Sequence, residues 1–176
     1  PATFAKLTTM DSVNNKIYNT FLRPAYKAAY ADTDEPWAVM KKKIQESRFS
    51  RAEELVFTID LIRFEKKPDW TAYMQSAMNL TDKYKLNDYT FLINVSQRFL
   101  QHASTPEQFR KAIGWAKKAT EMDPKPYSRD TYARLLEKSG DKKAAIQVLE
   151  SLIQDLKAKN EPAESYENQL KLWKSE

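Results

Sequence analysis

His102 is the only histidine in the chain, and it lies close in sequence to two hydroxyl side chains, Ser104 and Thr105. A hydroxyl beside an imidazole is the arrangement that activates a serine or threonine nucleophile. Such a couple also needs an acid that orients the imidazole and a turn of backbone N–H groups that holds the oxyanion. The sequence around His102 supplies neither, so we expect this chain not to be an enzyme.

Other kinds of chemical site have as little support. Glu53 and Glu54 are adjacent, and adjacent residues point in different directions on a helix, so they do not form an acid–base pair. The absence of cysteine and the single histidine exclude the usual zinc ligand sets. The two glycines, Gly114 and Gly140, do not form a phosphate-binding loop. We therefore expect no metal and no cofactor.

The composition indicates which elements make up the chain. Its 176 residues include 29 Lys and Arg and 24 Asp and Glu, a net charge of +5, and 41% of them are hydrophobic, enough to form a core. No run of about 18 apolar residues is present, which predicts no transmembrane helix. Sheet proteins use glycine at many tight turns, so a chain with two glycines is expected to be all-α.

Helix signals follow one another along the whole chain, and we expect about nine helices. Thr105 before Pro106, with Gln108 at the third helical position, forms a capping box. Gly140 stands where a helix would end in the left-handed conformation. Further N-terminal caps are expected at Asp11, Ser50, Asp88 and Ser128.

Two helix pairs in the second half of the chain repeat a pattern of small residues. Ser96 and Ala112 in the earlier pair correspond to Ala133 and Ala145 in the later one, and Ala112 and Ala145 are 33 positions apart. Small side chains allow two antiparallel helices to approach closely. The pattern resembles the tetratricopeptide (TPR) repeat, which implies antiparallel helix pairs stacked into a right-handed superhelix.

The strong resemblance covers residues 88–157, and the continuous helix signals lead us to expect a single helical repeat domain over residues 1–176. Its expected parts are N-terminal helices (1–48), a weaker helical repeat (49–86), two TPR-like repeats (87–126 and 127–159) and a capping helix (160–176).

TPR proteins generally hold a peptide or a helix on a concave face lined by the first helix of each pair. The resemblance places eight residues of this chain on that face: Thr90, Ile93, Gln97, Gln101, Tyr127, Asp130, Arg134 and Lys138. Gln97, Arg134 and Lys138 are expected to determine specificity, the two cations through charge-assisted hydrogen bonds. The alternative is that these residues form solvated helix faces. Ile93 and Gln97 stand where the family's clamp for C-terminal carboxylates needs Lys and Asn, so that ligand is not expected.

A narrower resemblance involves residues 130–140 together with Ala144, Ala145 and Ile146. This stretch is similar to the helical C-terminal region of thioredoxin-like proteins from Bacteroidetes. It implies a periplasmic or cell-envelope location, whereas without this resemblance a cytoplasmic location is expected. It also implies an alternative function as a structural appendage of a larger redox protein whose redox site lies outside this chain. Because the chain begins with Pro1 and has no signal-peptide pattern, we expect a fragment of a longer protein.

Two other features leave alternatives open, although we expect a protein or peptide partner. The basic run Lys41–Lys43, with Lys117 and Lys118, is a hypothetical nucleic-acid contact, but the nearby acidic residues favour a solvated helix face. Trp115 lies off the alanine stripe of its helix. It is therefore either a partly exposed contact residue or a core residue.

Overall fold

The computed structural model describes Ser12, Lys16 and residues 18–47 and 50–175. Within these residues the protein is all-α and contains no strand, which confirms the all-α class that the composition predicts. Two short π-helical segments, Tyr18–Leu22 and Thr81–Lys85, accompany nine α-helices in the described chain. The α-helices are α1 (Arg23–Ala29), α2 (Glu35–Glu46), α3 (Ala52–Lys66), α4 (Trp70–Leu80), α5 (Tyr89–His102), α6 (Pro106–Met122), α7 (Pro126–Lys138), α8 (Lys142–Ala158) and α9 (Glu164–Ser175).

The described residues form two compact units, an N-terminal unit that ends at Leu80 and a C-terminal unit that begins at Thr81. In the N-terminal unit, α1, α2 and α3 contact one another and α4 packs against α3. Small alanines of α1 face large side chains of α2 and α3, so the three helices close around one apolar core. That core contains Ala25, Ala29, Trp37, Ile44, Val56 and Ile59.

Arg63 of α3 satisfies the carboxyl end of α1. Its guanidinium donates to the carbonyls of Ala29, at 2.9 Å, and Ala31, at 2.7 Å. It also donates to the carbonyl of Thr33, at 3.1 Å, and to the carboxylate of Asp34. The last carbonyls of a helix have no partner within the helix, so this one buried side chain caps α1 and fixes the loop that follows.

The C-terminal unit consists of α5 to α9, and each helix packs against the next one in sequence. Short connections make such neighbours antiparallel. Ala112, Ala116 and Ala119 of α6 are fully buried. The Ser96 hydroxyl of α5 donates to the Ala112 carbonyl at 3.4 Å. Small residues therefore lie at the crossing of α5 and α6, as the sequence predicts.

Several predicted helix ends are confirmed. The Asp88 carboxylate accepts from the Phe91 N–H at 3.0 Å, and both halves of the Thr105–Gln108 capping box are present. Gly140 has a φ of +96°. The N–H of Gly140 donates to the Glu137 carbonyl and that of Asp141 to the Leu136 carbonyl, which is the Schellman ending of a helix.

Two predicted caps are wrong, and a third lies outside the described residues. The helix expected to begin after Ser128 begins at Pro126, because proline suits the first helical position. Ser128 is instead buried within α7, and its hydroxyl donates to the carbonyls of Asp123 and Lys125 at 2.9 and 2.8 Å. The cap position of α3 is Arg51 rather than Ser50, with no side-chain capping bond. Asp11 is the cap that the structure does not describe.

Candidate functional site

Helices α5 and α7 lie side by side in the C-terminal unit. The side-chain amide of Gln97 donates to the Thr131 hydroxyl at 2.6 Å, and this hydroxyl donates to the Tyr127 carbonyl at 2.9 Å. The Lys138 ammonium donates to the Leu100 carbonyl at 2.7 Å. Gln97, the earlier of the two α5 residues, is bonded to Thr131, the earlier on α7. Leu100, the later on α5, is bonded to Lys138, the later on α7. Because α6 is antiparallel to each neighbour, α5 and α7 run in the same direction.

The predicted partner-binding residues differ in their exposure. Four are exposed, namely Thr90, Gln101, Tyr127 and Lys138, and three are half-buried, namely Gln97, Asp130 and Arg134. Tyr127 is the most conspicuous of them, because it is aromatic and 51% exposed. Ile93 differs from the prediction, since it is 4% exposed and belongs to the core. An aliphatic side chain on α5 gains more from burial against the neighbouring helices than from contact with water.

Arg134 and Asp130 form an ion pair one helical turn apart on α7. The Arg134 Nε lies 2.9 and 2.8 Å from the two carboxylate oxygens of Asp130. Burial, together with the charge of Asp130, raises the pKa of Tyr166, whereas Arg134 lowers it. Tyr166 of α9 therefore lies near this pair. A side chain of α9 therefore lies beside the face of α7 that carries Arg134 and Asp130.

An open pocket of about 440 Å³ lies at one end of this face. It is formed by the connection between α5 and α6, the first turns of α6 and the end of α7. Lys138 is the predicted site residue that lines it. The lining consists of Ser104, Thr105, Pro106, Phe109, Arg110, Ile113, Lys138 and Ser139. None of these residues is acidic. Sequence reasoning missed the pocket because residues about thirty positions apart come together to form it.

His102 of α5 lies near two cations. Burial lowers the pKa of His102 first, and the nearby charges of Arg98 and Lys138 lower it further. The charged groups that shift this pKa are therefore cations, whereas a catalytic imidazole beside Ser104 would need an acid to orient it. In the part of the chain that the structure describes, no three His, Asp or Glu side chains are grouped so that they could hold a metal ion.

Trp115 is a core residue, so the interpretation as a partly exposed contact residue is wrong. Its side chain is 3% exposed and meets the Phe99 ring edge-on at 5.1 Å. Its indole N–H donates to the Asp82 carboxylate at 3.1 Å, and Lys111 forms an ion pair with the same carboxylate. A buried indole needs such an acceptor. Asp82 lies 33 positions away in sequence, so no local signal indicated the pairing.

Comparisons of the chain with protein-family models, with curated proteins and with solved structures found no match. No helix among the described residues has both the length and the apolar character needed to cross a membrane. The function is therefore inferred from the geometry of the face formed by α5 and α7, which is called the α5–α7 face below.

Proposed function

We propose that the C-terminal unit binds an extended peptide or a helix of a protein partner on the α5–α7 face. In this proposal α5–α6 and α7–α8 are two helix pairs of the TPR type, and the first helix of each pair lines a shared concave surface. The activity is binding, and no bond of the partner is made or broken.

The direct, same-direction packing of α5 and α7 is the observation that carries the proposal. Helix pairs stacked as repeats bring the first helices together while each second helix lies behind them. The contacts follow this order, because α5 touches both α6 and α7, and α7 touches α8. The Gln97–Thr131 hydrogen bond joins the two first helices near their middle.

The chemistry of the face suits a polypeptide ligand. Tyr127 offers a large aromatic surface at small cost in side-chain entropy, as is common in protein interfaces. Thr90 and Gln101 offer exposed donors and acceptors for a peptide backbone. Arg134 is held by Asp130 and has a side chain that is 43% exposed, so it is positioned before a ligand arrives.

Photo-crosslinking tests the location of binding. Peptides are first selected on the full chain from a displayed library of random dodecapeptides. The photoreactive amino acid p-benzoylphenylalanine then replaces Tyr127 or Gln101 in separate variants, and each variant is irradiated with a selected peptide. We expect crosslinks from both positions, because both side chains are exposed on the α5–α7 face.

Lys143 provides the matched control, because it is exposed on α8, a second helix of the proposed repeats. The same photoreactive residue at position 143 should give no crosslink. Selection of no peptide at all would refute the proposed function. Crosslinking from position 143 with none from positions 101 and 127 would place the binding surface elsewhere and would refute it as well.

A further inference from the structure

We propose that the open pocket at the end of the α5–α7 face anchors an acidic side chain of the bound peptide, with an apolar neighbour of that residue beside it. The inference rests on the proposed function and specifies the partner as an acidic peptide. Arg110 and Lys138 would receive the carboxylate, and Phe109 and Ile113 would contact the apolar part.

The charges that line the pocket all have one sign. Arg110 and Lys138 are its only charged lining residues. Within the described chain, Arg110 is exposed and has no ion-pair partner, whereas Arg129 is paired with Asp155 at 2.5 Å. A guanidinium without an acid beside it can form two parallel hydrogen bonds to a carboxylate that arrives with a ligand.

Lys138 can donate to a ligand while it keeps its own hydrogen-bond partner. Lys138 is held by the Leu100 carbonyl at 2.7 Å, which leaves its other two N–H groups for a ligand. Arg98 lies close enough to His102 for its charge to lower the pKa of this imidazole, and Lys138 acts on the same ring. The two cations that line the pocket, Arg110 and Lys138, would repel a cationic ligand there.

The apolar part of the lining argues for a peptide rather than for a small inorganic anion. Phe109 and Ile113 are half-buried and lie one turn apart on α6. A volume of about 440 Å³ exceeds what one carboxylate group needs. The first turn of α6 is already capped, since Gln108 and Thr105 accept from its neighbouring backbone N–H groups. The lining cations, rather than this helix end, therefore provide the charge.

The pocket also lies where a ligand on the face would reach it. Lys138 belongs both to the pocket and to α7. Gln101 lies in the last turn of α5, three positions before Ser104, which lines the pocket. A peptide that follows the two helices toward their carboxyl ends therefore meets Lys138. One ligand can then use both surfaces.

A double-mutant cycle tests this contact. A dodecapeptide selected on the full chain is synthesised with its acidic residue and again with that residue changed from Glu to Gln or from Asp to Asn. Binding of both peptides is measured by fluorescence anisotropy to the natural chain and to Arg110→Gln. We expect each change alone to weaken binding about tenfold, as for one charge-assisted contact. The two changes together should cost little more than one, because they remove the same interaction.

Lys159→Gln is the control, since it removes one positive charge from an exposed position at the far end of α8, twenty positions after Ser139, the last residue that lines the pocket. It should alter binding less than twofold at near-physiological salt, where distant surface charges are screened. Circular dichroism verifies that Arg110→Gln keeps its helix content, which is expected for an exposed side chain.

The possible outcomes separate the two proposals. Acidic peptides that bind Arg110→Gln as tightly as the natural chain would refute the pocket contact, as would selected peptides with no preference for Asp or Glu. In either case, crosslinks from positions 101 and 127 would leave the proposed function standing. Failure to select any peptide would refute both proposals.

Discussion

The two compact units of this protein bury different kinds of polar side chain. The N-terminal unit buries mainly ionisable groups, with Glu54, Asp60 and Arg63 each no more than 5% exposed, and one hydroxyl, that of Ser76. The C-terminal unit buries hydroxyl groups, and the four polar side chains buried in its described part are Thr81, Ser96, Ser128 and Thr131, each fully covered. Both solutions satisfy polar atoms inside a helical core, but they depend on different physical forces.

The buried ions of the N-terminal unit are stabilised by specific partners. Asp60 of α3 accepts from Lys41 of α2 at 2.9 and 3.2 Å, and Arg51 donates to both carboxylate oxygens of Glu54 at 2.5 and 2.6 Å. Removing a charge from water costs several kcal/mol, roughly, unless a partner offsets it. The stability of this unit therefore depends on individual pairs and on pH.

The hydroxyls of the C-terminal unit serve close approach instead. Ser96 and Ala112 lie together where α5 crosses α6, and Ser128 donates to carbonyls just before α7. Hydroxyls that bond to nearby carbonyls carry no net charge, so their burial costs much less than that of an ion. We expect the stability of this unit to depend mainly on side-chain volume. Its pH dependence near neutrality should come from His102, whose pKa is lowered from 6.5, so that the folded unit loses stability as the pH falls below that value.

Among the substitutions that test this comparison, loss of Arg63 should lower the free energy of unfolding most. Arg63→Met removes the donors that satisfy the carbonyls of Ala29, Ala31 and Thr33, so the free energy of unfolding should fall by about 3 to 4 kcal/mol. Urea unfolding followed by circular dichroism measures the change. The matched control is Arg23→Ala, an exposed arginine of α1, with an expected change below about 0.5 kcal/mol. A loss under about 1 kcal/mol for Arg63→Met would show that the capping of α1 contributes little.

Breaking the Asp60–Lys41 pair should have the next largest effect, and that effect should depend on pH. Burial raises the pKa of Asp60 above its ordinary value even though Lys41 lowers it. Protonation of Asp60 therefore favours the folded chain, and this contribution is lost as the pH rises through the raised pKa. Lys41→Met leaves the ionised carboxylate without its partner and should cost about 2 to 3 kcal/mol near neutral pH.

Unfolding of Lys41→Met measured at about pH 7 and again at about pH 4 tests the sign of this dependence. The cost should shrink at the lower pH, because the raised pKa makes a larger fraction of Asp60 neutral in the folded variant at that pH. Lys42→Met is the control, since the Lys42 side chain is 74% exposed. An equal cost at both pH values would mean that lost packing, and not the buried charge, destabilises the variant.

Enlarging Ser96 tests the packing of the C-terminal unit. Ser96→Leu inserts a large side chain at the crossing of α5 and α6 and should cost about 2 kcal/mol. Ser96→Ala keeps the volume and loses one long hydrogen bond, so its cost should stay under about 1 kcal/mol. Urea unfolding distinguishes the two variants. Equal costs would show that the hydroxyl matters more than the close approach.

The two glycines should give the smallest effects, with opposite signs. Gly140 has a φ of +96°, where a side chain is strained, so Gly140→Ala should destabilise by about 1 kcal/mol. Gly114 lies inside α6, and an added Cβ would meet nothing within 4 Å. Gly114→Ala should therefore stabilise by about 0.5 to 1 kcal/mol. Thermal unfolding of both variants measures these stability changes. A shift of the midpoint temperature in the same direction for both variants would contradict the prediction.

Local signals predicted several helix ends correctly but not the one at Ser50, and one residue of the predicted face, Ile93, is buried. Asp88 and the Thr105 box cap their helices because a side chain and a backbone N–H three residues away form one unit. Ser128 has the right residue type for a cap, yet a proline two positions earlier begins the helix first. Ile93 was assigned to an exposed face by repeat position alone, and that position does not state how closely neighbouring helices cover it.

The amino-acid sequence by itself determined the all-α class, most helix boundaries and the small residues at the crossing of α5 and α6. These features depend on glycine content, on capping residues and on spacings within one or two helical turns. The tertiary structure decided that Trp115 is buried against Asp82, that Arg63 caps α1 and that Arg110 and Lys138 line one pocket. Each of these contacts joins residues about thirty positions apart, and such pairs meet only after the helices have packed.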